Sequence, residues 1–283
     1  MTTFTRGTPD SPSRGTALIT GASRGIGAIY ADRLAKRGYD LILVARDKAR
    51  LTSLSARLAS ETGRSVTPLP ADLNDKADLA QVETTLREDQ TITMLVNNAG
   101  VGSVAPLLQA DDEKMVEMIA LNVTALTRLT YAAAPAFVAR GAGTIINIGS
   151  VVGISPETLN GVYGATKAFV LALSHSLQHE LAEKGIRIQA VLPGATATDF
   201  WAIAGVPYQN LPVPVMSPED MVDTALVGLD QGEQVTIPSL QDGDDWSRFE
   251  ADRRSISGAA LGNSIPAPRY RTGEYRTGEP TSA

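Results

Sequence analysis

The chain has no cysteine among its 283 residues. That excludes thiol catalysis, disulfides and cysteine-ligated metals, and it is compatible with a reducing compartment. A clustered basic run is also missing. Lys and Arg number 25 against 31 Asp and Glu, for a formal net charge of −6, so no nucleic-acid partner is expected, because phosphate contacts need grouped cations. The first fourteen residues, MTTFTRGTPDSPSR, contain no apolar h-region of the kind that directs secretion. The most apolar long stretch, from Met118 to Val138, is interrupted by Asn122 and Arg128 and reads as an amphipathic helix, not a membrane span. A cytoplasmic protein with no membrane partner is the expectation.

What is present is an ordinary globular composition, 43% hydrophobic and 20% charged, in a chain long enough to bury a substantial core. Apolar runs alternate with helical patterns from Thr16 to about Pro238. Runs of Leu, Ile and Val predict strands at Thr16–Thr20, Asp40–Ala45, Ser65–Leu69, Thr93–Asn97, Thr144–Gly149, Ile186–Leu192 and Gln234–Ile237. Between them, helices are predicted at Ile26–Arg37, Lys48–Ser60, Lys76–Glu88, Asp112–Ala139, Asn160–Glu183 and Pro218–Gln231, with Asp47, Asn74 or Asp75, Asp111 and Ser217 as starting caps. Pro135 should kink or end its helix. Strict β-α alternation predicts a doubly wound, mostly parallel seven-stranded sheet with helices on both faces. The expected organisation is a flexible segment over 1–14, one domain over 15–261 and a flexible tail over 262–283. Residues 195–216 are apolar, aperiodic and too long for a plain connection, as functional lids or disordered segments are, and a substrate lid is the expectation. The tail carries a short duplicated unit, RTGEYRTGE.

Thr20-Gly21-Ala22-Ser23-Arg24-Gly25-Ile26-Gly27 follows the first strand and opens the first helix. Glycines there let the backbone turn tightly beside a pyrophosphate, and the helix N-terminus offers free N–H groups. A plain tight turn would also use glycines, but placement after the first strand of a β-α series favours the nucleotide reading. Far downstream, Tyr163 and Lys167 stand at i and i+4 on one predicted helix face, thirteen residues after Ser150 at the end of a strand. A free tyrosine titrates near pH ~10, so acid/base work at neutral pH needs a fall of roughly two to three units, about 3–4 kcal/mol. A neighbouring ammonium favours the phenolate. Singly, each residue has an ordinary structural use; their ordered occurrence points to hydride transfer.

Together these motifs resemble the short-chain dehydrogenase/reductase family, over about Thr16 to Ile237. The matching elements, in the family's order, are TGASRGIG, Asp72-Leu73, Asn97-Asn98-Ala99-Gly100, Asn122, Ser150, Tyr163-Gly-Ala-Thr-Lys167 and Pro193-Gly194 with Thr198. The resemblance implies that Tyr163 exchanges the proton with the substrate oxygen and that Ser150 hydrogen-bonds that oxygen. It further implies that Lys167 holds the nicotinamide ribose and that Asn122 positions a relay water. Cofactor contacts implied by position are Thr20, Gly21, Ser23, Arg24, Gly25, Ile26, Gly27, Arg46, Asp72, Leu73, Asn98, Ala99, Gly100, Tyr163, Lys167, Pro193, Gly194 and Thr198.

NAD enzymes place an acid at the end of the second strand to hold the ribose hydroxyls. This chain has Ala45 there, followed by Arg46, while Arg24 sits in the glycine turn. Guanidiniums suit a 2′-phosphate, so NADP(H) is preferred over NAD(H). Asp47 could instead take the acidic role, although its place after the strand suits a helix cap. The two arginines could also be plain solvated charges. No metal site is expected: His175 and His179 share a helix face, but no third ligand is evident.

The expected pocket joins Val151, Val152, Ile154 and Leu159 to the lid residues Phe200, Trp201, Ile203, Tyr208 and Leu211. Apolar walls favour a hydrophobic carbonyl or alcohol. The same side chains could serve only to pack the lid onto the domain or a neighbouring subunit. The functional expectation is therefore an NADP-dependent oxidoreductase acting on a small-molecule carbonyl or alcohol, built as a homodimer or homotetramer. A non-catalytic dinucleotide sensor is the alternative. Dehydration or epimerisation on the same scaffold is a third reading, disfavoured by the glycine spacing and the absence of a larger C-terminal substrate domain.

Overall fold

The computed structural model describes residues 13–270. Those residues divide into two compact units, one ending at Ser239 and one beginning at Leu240. The first is a seven-stranded sheet in the order β3-β2-β1-β4-β5-β6-β7, in which every neighbouring pair is parallel. The strands are β1 Thr16–Thr20, β2 Asp40–Ala45, β3 Val66–Pro70, β4 Ile92–Asn97, β5 Gly143–Ile148, β6 Ile186–Val191 and β7 Val235–Thr236. The strand order reverses between β1 and β4, and the crevice above that reversal is where open α/β sheets hold ligands.

Parallel strands covered on both faces must be apolar throughout, and all five residues of β1 are buried. Ala17 and Ile19 face a core completed by α1 (Gly25–Lys36), α2 (Lys48–Thr62) and α8 (Pro218–Gln231), whereas Leu18 faces the opposite core of α3 (Lys76–Glu88), α5 (Leu126–Arg140) and α6 (Gly161–Leu181). β3 contains Pro68 and Pro70, tolerated because it is an edge strand with one free side. Capping follows the residue types expected. Asp47, Asp75 and Ser217 accept from first-turn amides of α2, α3 and α8, and Asp111 does so for α4 (Asp112–Ile119).

Three features depart from the sequence-based expectations. The helix predicted over Asp112–Ala139 is interrupted by a π-helical turn, Ala120–Ala125, which holds Asn122. Pro135 does not end it; α5 runs on to Arg140. The proline leaves the Tyr131 carbonyl without its helical donor, and Tyr131 is exposed enough for water to serve. Beyond the sheet unit, residues expected to complete a domain over 15–261 form a separate unit built on α9 (Gly243–Leu261). Within α9, Trp246 stacks on Phe249 with centroids 5.3 Å apart, and Glu250 pairs with Arg253 at 2.9 Å. Residues 1–12 of the expected flexible segment and the duplicated unit near the C-terminus lie outside the described residues. No described helix is long and apolar enough to cross a membrane.

Candidate active site

The glycine turn is held open by its own backbone. Gly21 and Gly25 have φ of 65° and 53°, a left-handed conformation that suits glycine. Gly27 lies so close to the Gly21 carbonyl that a Cβ would overlap it. Thr20 and Asn98 lock this turn to the end of β4. The Thr20 hydroxyl accepts from the Asn98 and Ala99 amides at 3.0 Å each, and Asn98 Nδ2 donates to the Thr20 carbonyl at 2.8 Å. Unlike α2, α3, α4 and α8, helix α1 has no side-chain cap, so its first amides remain available to an anion. A pyrophosphate therefore fits this turn.

Two guanidiniums flank it. Arg24 pairs with Asp199 at 3.3 Å and Arg46 with Asp72 at 3.8 Å, and all four side chains are at least 41% exposed. Exposed pairs of this kind hold together by about 0–1 kcal/mol, so a phosphate dianion can compete for either arginine. Asp47 accepts from the Arg50 amide at 3.0 Å and is the cap of α2, not a ribose acceptor.

Ser150 lies two residues past the end of β5, at the carboxyl edge of the sheet, and Tyr163 and Lys167 lie on the buried face of α6. α6 starts at Asn160, whose side chain accepts from the Val162 and Tyr163 amides at 3.0 and 3.2 Å. Gly153 brings the turn after Ser150 onto the α6 backbone, since a Cβ there would lie 2.7 Å from the Lys167 carbonyl oxygen. Ser150 Oγ accepts from the Val152 amide at 3.2 Å and donates to the Pro193 carbonyl at 3.4 Å, and it lies close enough to the Tyr163 hydroxyl to lower that group's pKa. Lys167 Nζ donates to the Ile148 carbonyl at 2.9 Å and lies 5.8 Å from the Tyr163 ring centroid. Burial pushes Tyr163 up to about 12, and the Ser150 hydroxyl offsets only part of that rise. Burial also pushes Lys167 down to about 8. The expected lowering of the tyrosine is thus not built into the protein's own side chains.

Asn122 is buried, and both ends of its amide are engaged. Its Oδ1 accepts from the Val101 amide at 3.0 Å, while Nδ2 donates to the Val101 carbonyl at 2.8 Å and to Thr166 Oγ1 at 3.1 Å. It fastens the loop after β4 to α6 beside the tyrosine. Both Nδ2 hydrogens are engaged, whereas Oδ1 accepts one bond and keeps a second lone pair.

The segment over 195–216 is joined at its base, where the Ala197 amide donates to the Met216 carbonyl at 2.9 Å. It carries the short helix α7 (Phe200–Ala204). The Phe200 ring lies 5.6 Å from that of Tyr163, within an apolar cluster that includes Met118, Val152, Val101 and Leu159.

With this geometry, residues 15–205 match the family model for short chain dehydrogenase. The chain belongs to the short-chain dehydrogenase family. A probable NADP-dependent dehydrogenase of Haemophilus influenzae is 35% identical over 237 residues, 80% of this chain and 92% of that protein. Among solved structures, a short-chain dehydrogenase from Sphingobium yanoikuyae in complex with NADPH is 51% identical, with a TM-score of 0.88 over 91% of this chain and all of that one. The bulky-bulky ketone specific alcohol dehydrogenase from Comamonas testosteroni is 46% identical, with a TM-score of 0.84 over 91% of this chain and 99% of that one.

In this short-chain dehydrogenase the expected residues divide by what their side chains do. Ser150, Tyr163 and Lys167 converge, and Arg24 and Arg46 flank the turn. Thr20, Asn98 and Asn122 are engaged in internal hydrogen bonds, and Leu73 is a core residue. Of the expected lid walls, Phe200 reaches the tyrosine whereas Ile203 is 54% exposed. Thr198 packs on the glycine turn, 3.2 Å from where a Gly25 Cβ would sit. Gly102, Gly153 and Asp199 were missed. Asn-Gly before Val162 was a legible cap signal for α6, but nothing local marks the two glycines or the acid.

Proposed function

We propose that this protein is an NADP(H)-dependent oxidoreductase that interconverts a ketone and a secondary alcohol bearing bulky apolar substituents. The observation that carries the reading is the buried Tyr163 hydroxyl beside Ser150, with the Lys167 ammonium near its ring, past the strand end next to an uncapped glycine turn. Bound in that turn, the dinucleotide supplies or accepts the hydride. The substrate class is supported by the apolar surroundings of Tyr163 and by likeness to a ketone-specific alcohol dehydrogenase.

In reduction, Tyr163 acts as the acid. Its phenol, held protonated by burial, donates to the carbonyl oxygen as negative charge develops there. The Ser150 hydroxyl donates to the same oxygen and stabilises that charge. Lys167 supplies a positive charge near the phenolate that results, and is itself oriented by the Ile148 carbonyl. Asn122 keeps the loop after β4 and α6 in register around these groups. Arg24 and Arg46 hold the 2′-phosphate.

A homo-oligomer is part of the same reading. Ile119, Val123, Gly161, Val162, Ala165 and Thr166 line a groove of about 290 Å³ between the helices after β4 and β5, and Val116 and Tyr131 stand exposed on α4 and α5. A second copy covering these helices would remove that surface from water. The deciding experiment is a ketone and alcohol screen followed by nicotinamide absorbance with each cofactor. Turnover with NADPH and an aryl ketone is expected, and no turnover with any carbonyl or alcohol would overturn the proposal.

A further inference from the structure

We infer that Phe200 is a displaceable plug over Tyr163, seated by Gly102, and that this pair selects ketones carrying an aryl-sized apolar substituent. The inference rests on the oxidoreductase reading and names its substrate class more narrowly.

Tyr163 is only 6% exposed. Phe200 covers it with a ring 5.6 Å away, tilted by 46°. The backbone around Phe200 is tied on three sides. Trp201 Nε1 donates to the Thr196 carbonyl at 3.0 Å, the Val104 amide to Ala204 at 3.2 Å, and the Val206 amide to Trp201 at 2.9 Å. With the backbone so held, the Phe200 side chain is the part free to turn. Its Cζ rests against Gly102, where any Cβ would overlap the ring. Gly102 is not among the glycines with positive φ. Its backbone therefore does not call for glycine; the seat for Phe200 does.

With Tyr163 buried and Phe200 against its ring, the inferred route for a ketone oxygen to the Tyr163 hydroxyl is the space the Phe200 ring vacates. The move forfeits the aromatic contact with Tyr163. An aryl substituent restores the contact with its own ring against Tyr163 and Val152. A methyl or ethyl group does not. Small ketones therefore bear the whole cost of opening, and aryl ketones bear little of it.

The test uses the full-length enzyme with NADPH and two substrates, 2-butanone and propiophenone, in wild type, Phe200→Ala, Gly102→Ala and the double variant. Phe200→Ala should lower the propiophenone to 2-butanone ratio of kcat/KM about tenfold or more, the scale of pocket discrimination by apolar contact. Gly102→Ala, which unseats the ring, should lower it in the same direction and add nothing in the Phe200→Ala background. A ratio that changes less than threefold in Phe200→Ala, or a Gly102→Ala effect equal in both backgrounds, would overturn the inference. A second readout needs neither turnover nor cofactor. Trp201 lies edge-on to Phe200 with centroids 5.5 Å apart and is one of two tryptophans. In a Trp246→Phe background, 1-phenylethanol should change Trp201 emission, and Phe200→Ala should abolish that change; persistence of the change there counts against the plug. If wild type turns over no carbonyl or alcohol at all, the oxidoreductase reading fails while the emission test still decides whether Phe200 moves.

Discussion

Lys167 Nζ donates to the main-chain carbonyl of Ile148, two residues before Ser150, so the ammonium and the strand end that presents the serine are one hydrogen-bonded unit. Burial holds this lysine down to about 8, against an ordinary value of 10.5. Between those values the unfolded chain binds more protons at this position than the folded one, so stability rises with pH across that window. At pH 7 both states carry the charge, and the folded state bears the desolvation penalty. Lys167→Met should therefore flatten the rise in stability between pH 8 and 10.5, by an amount on the order of 3 kcal/mol at most. Urea unfolding of the cofactor-free protein at several pH values measures it; an unchanged slope would contradict the burial.

For Tyr163, burial raises the group to about 12, so the phenol is the stable form at neutral pH and the residue is poised as an acid. Tyr163→Phe should reduce kcat for ketone reduction by roughly 10²–10⁴ while leaving NADPH binding within a few-fold. Alcohol oxidation, which needs the phenolate, should gain rate as pH rises in wild type. Stopped-time absorbance assays and a fluorescence titration of NADPH separate the two effects.

Cofactor choice should reside in Arg24 and Arg46. Each offers a charge-assisted contact worth about 1.5–3 kcal/mol. Arg46→Ala should raise KM for NADPH by roughly ten- to a hundredfold and leave KM for NADH nearly unchanged. Ala45→Asp, which restores an acid at the end of β2, should move preference toward NADH. Steady-state kinetics with both cofactors would show it, and equal losses with each would refute the 2′-phosphate assignment.

Asn122→Ala removes the partner of the Val101 amide and carbonyl together. Leaving such groups unpaired costs about 1–3 kcal/mol, seen as a lower melting temperature without cofactor. If the π turn contributes to catalysis only through its main chain, kcat should fall less than in Tyr163→Phe. A collapse of kcat with no loss of stability would show a direct role for the side chain.

The strands and the helix caps were legible because their signals are local. β1 and β2 are apolar runs bounded by Gly, Asp or Arg, and Asp47, Asp111 and Ser217 each precede a helical pattern whose first amides donate to them. The π turn at Ala120–Ala125 was not legible. Within it Asn122 pairs with Val101, twenty-one residues away, a contact no local pattern carries. α9 was missed because its aromatics, Trp246 and Phe249, sit among charges with no apolar stripe of helical period.

By itself the sequence determined the family, the parallel sheet and the trio Ser150, Tyr163 and Lys167, since strand composition, glycine spacing and an i,i+4 pair are properties of short segments. Only the tertiary structure decided how those residues meet. The serine lies against the tyrosine because Gly153 lets a turn rest on α6, and Phe200 lies over the tyrosine because Gly102 leaves room for its ring. Both are close approaches between segments distant in the chain, set by excluded volume, which leaves no periodic trace in a sequence.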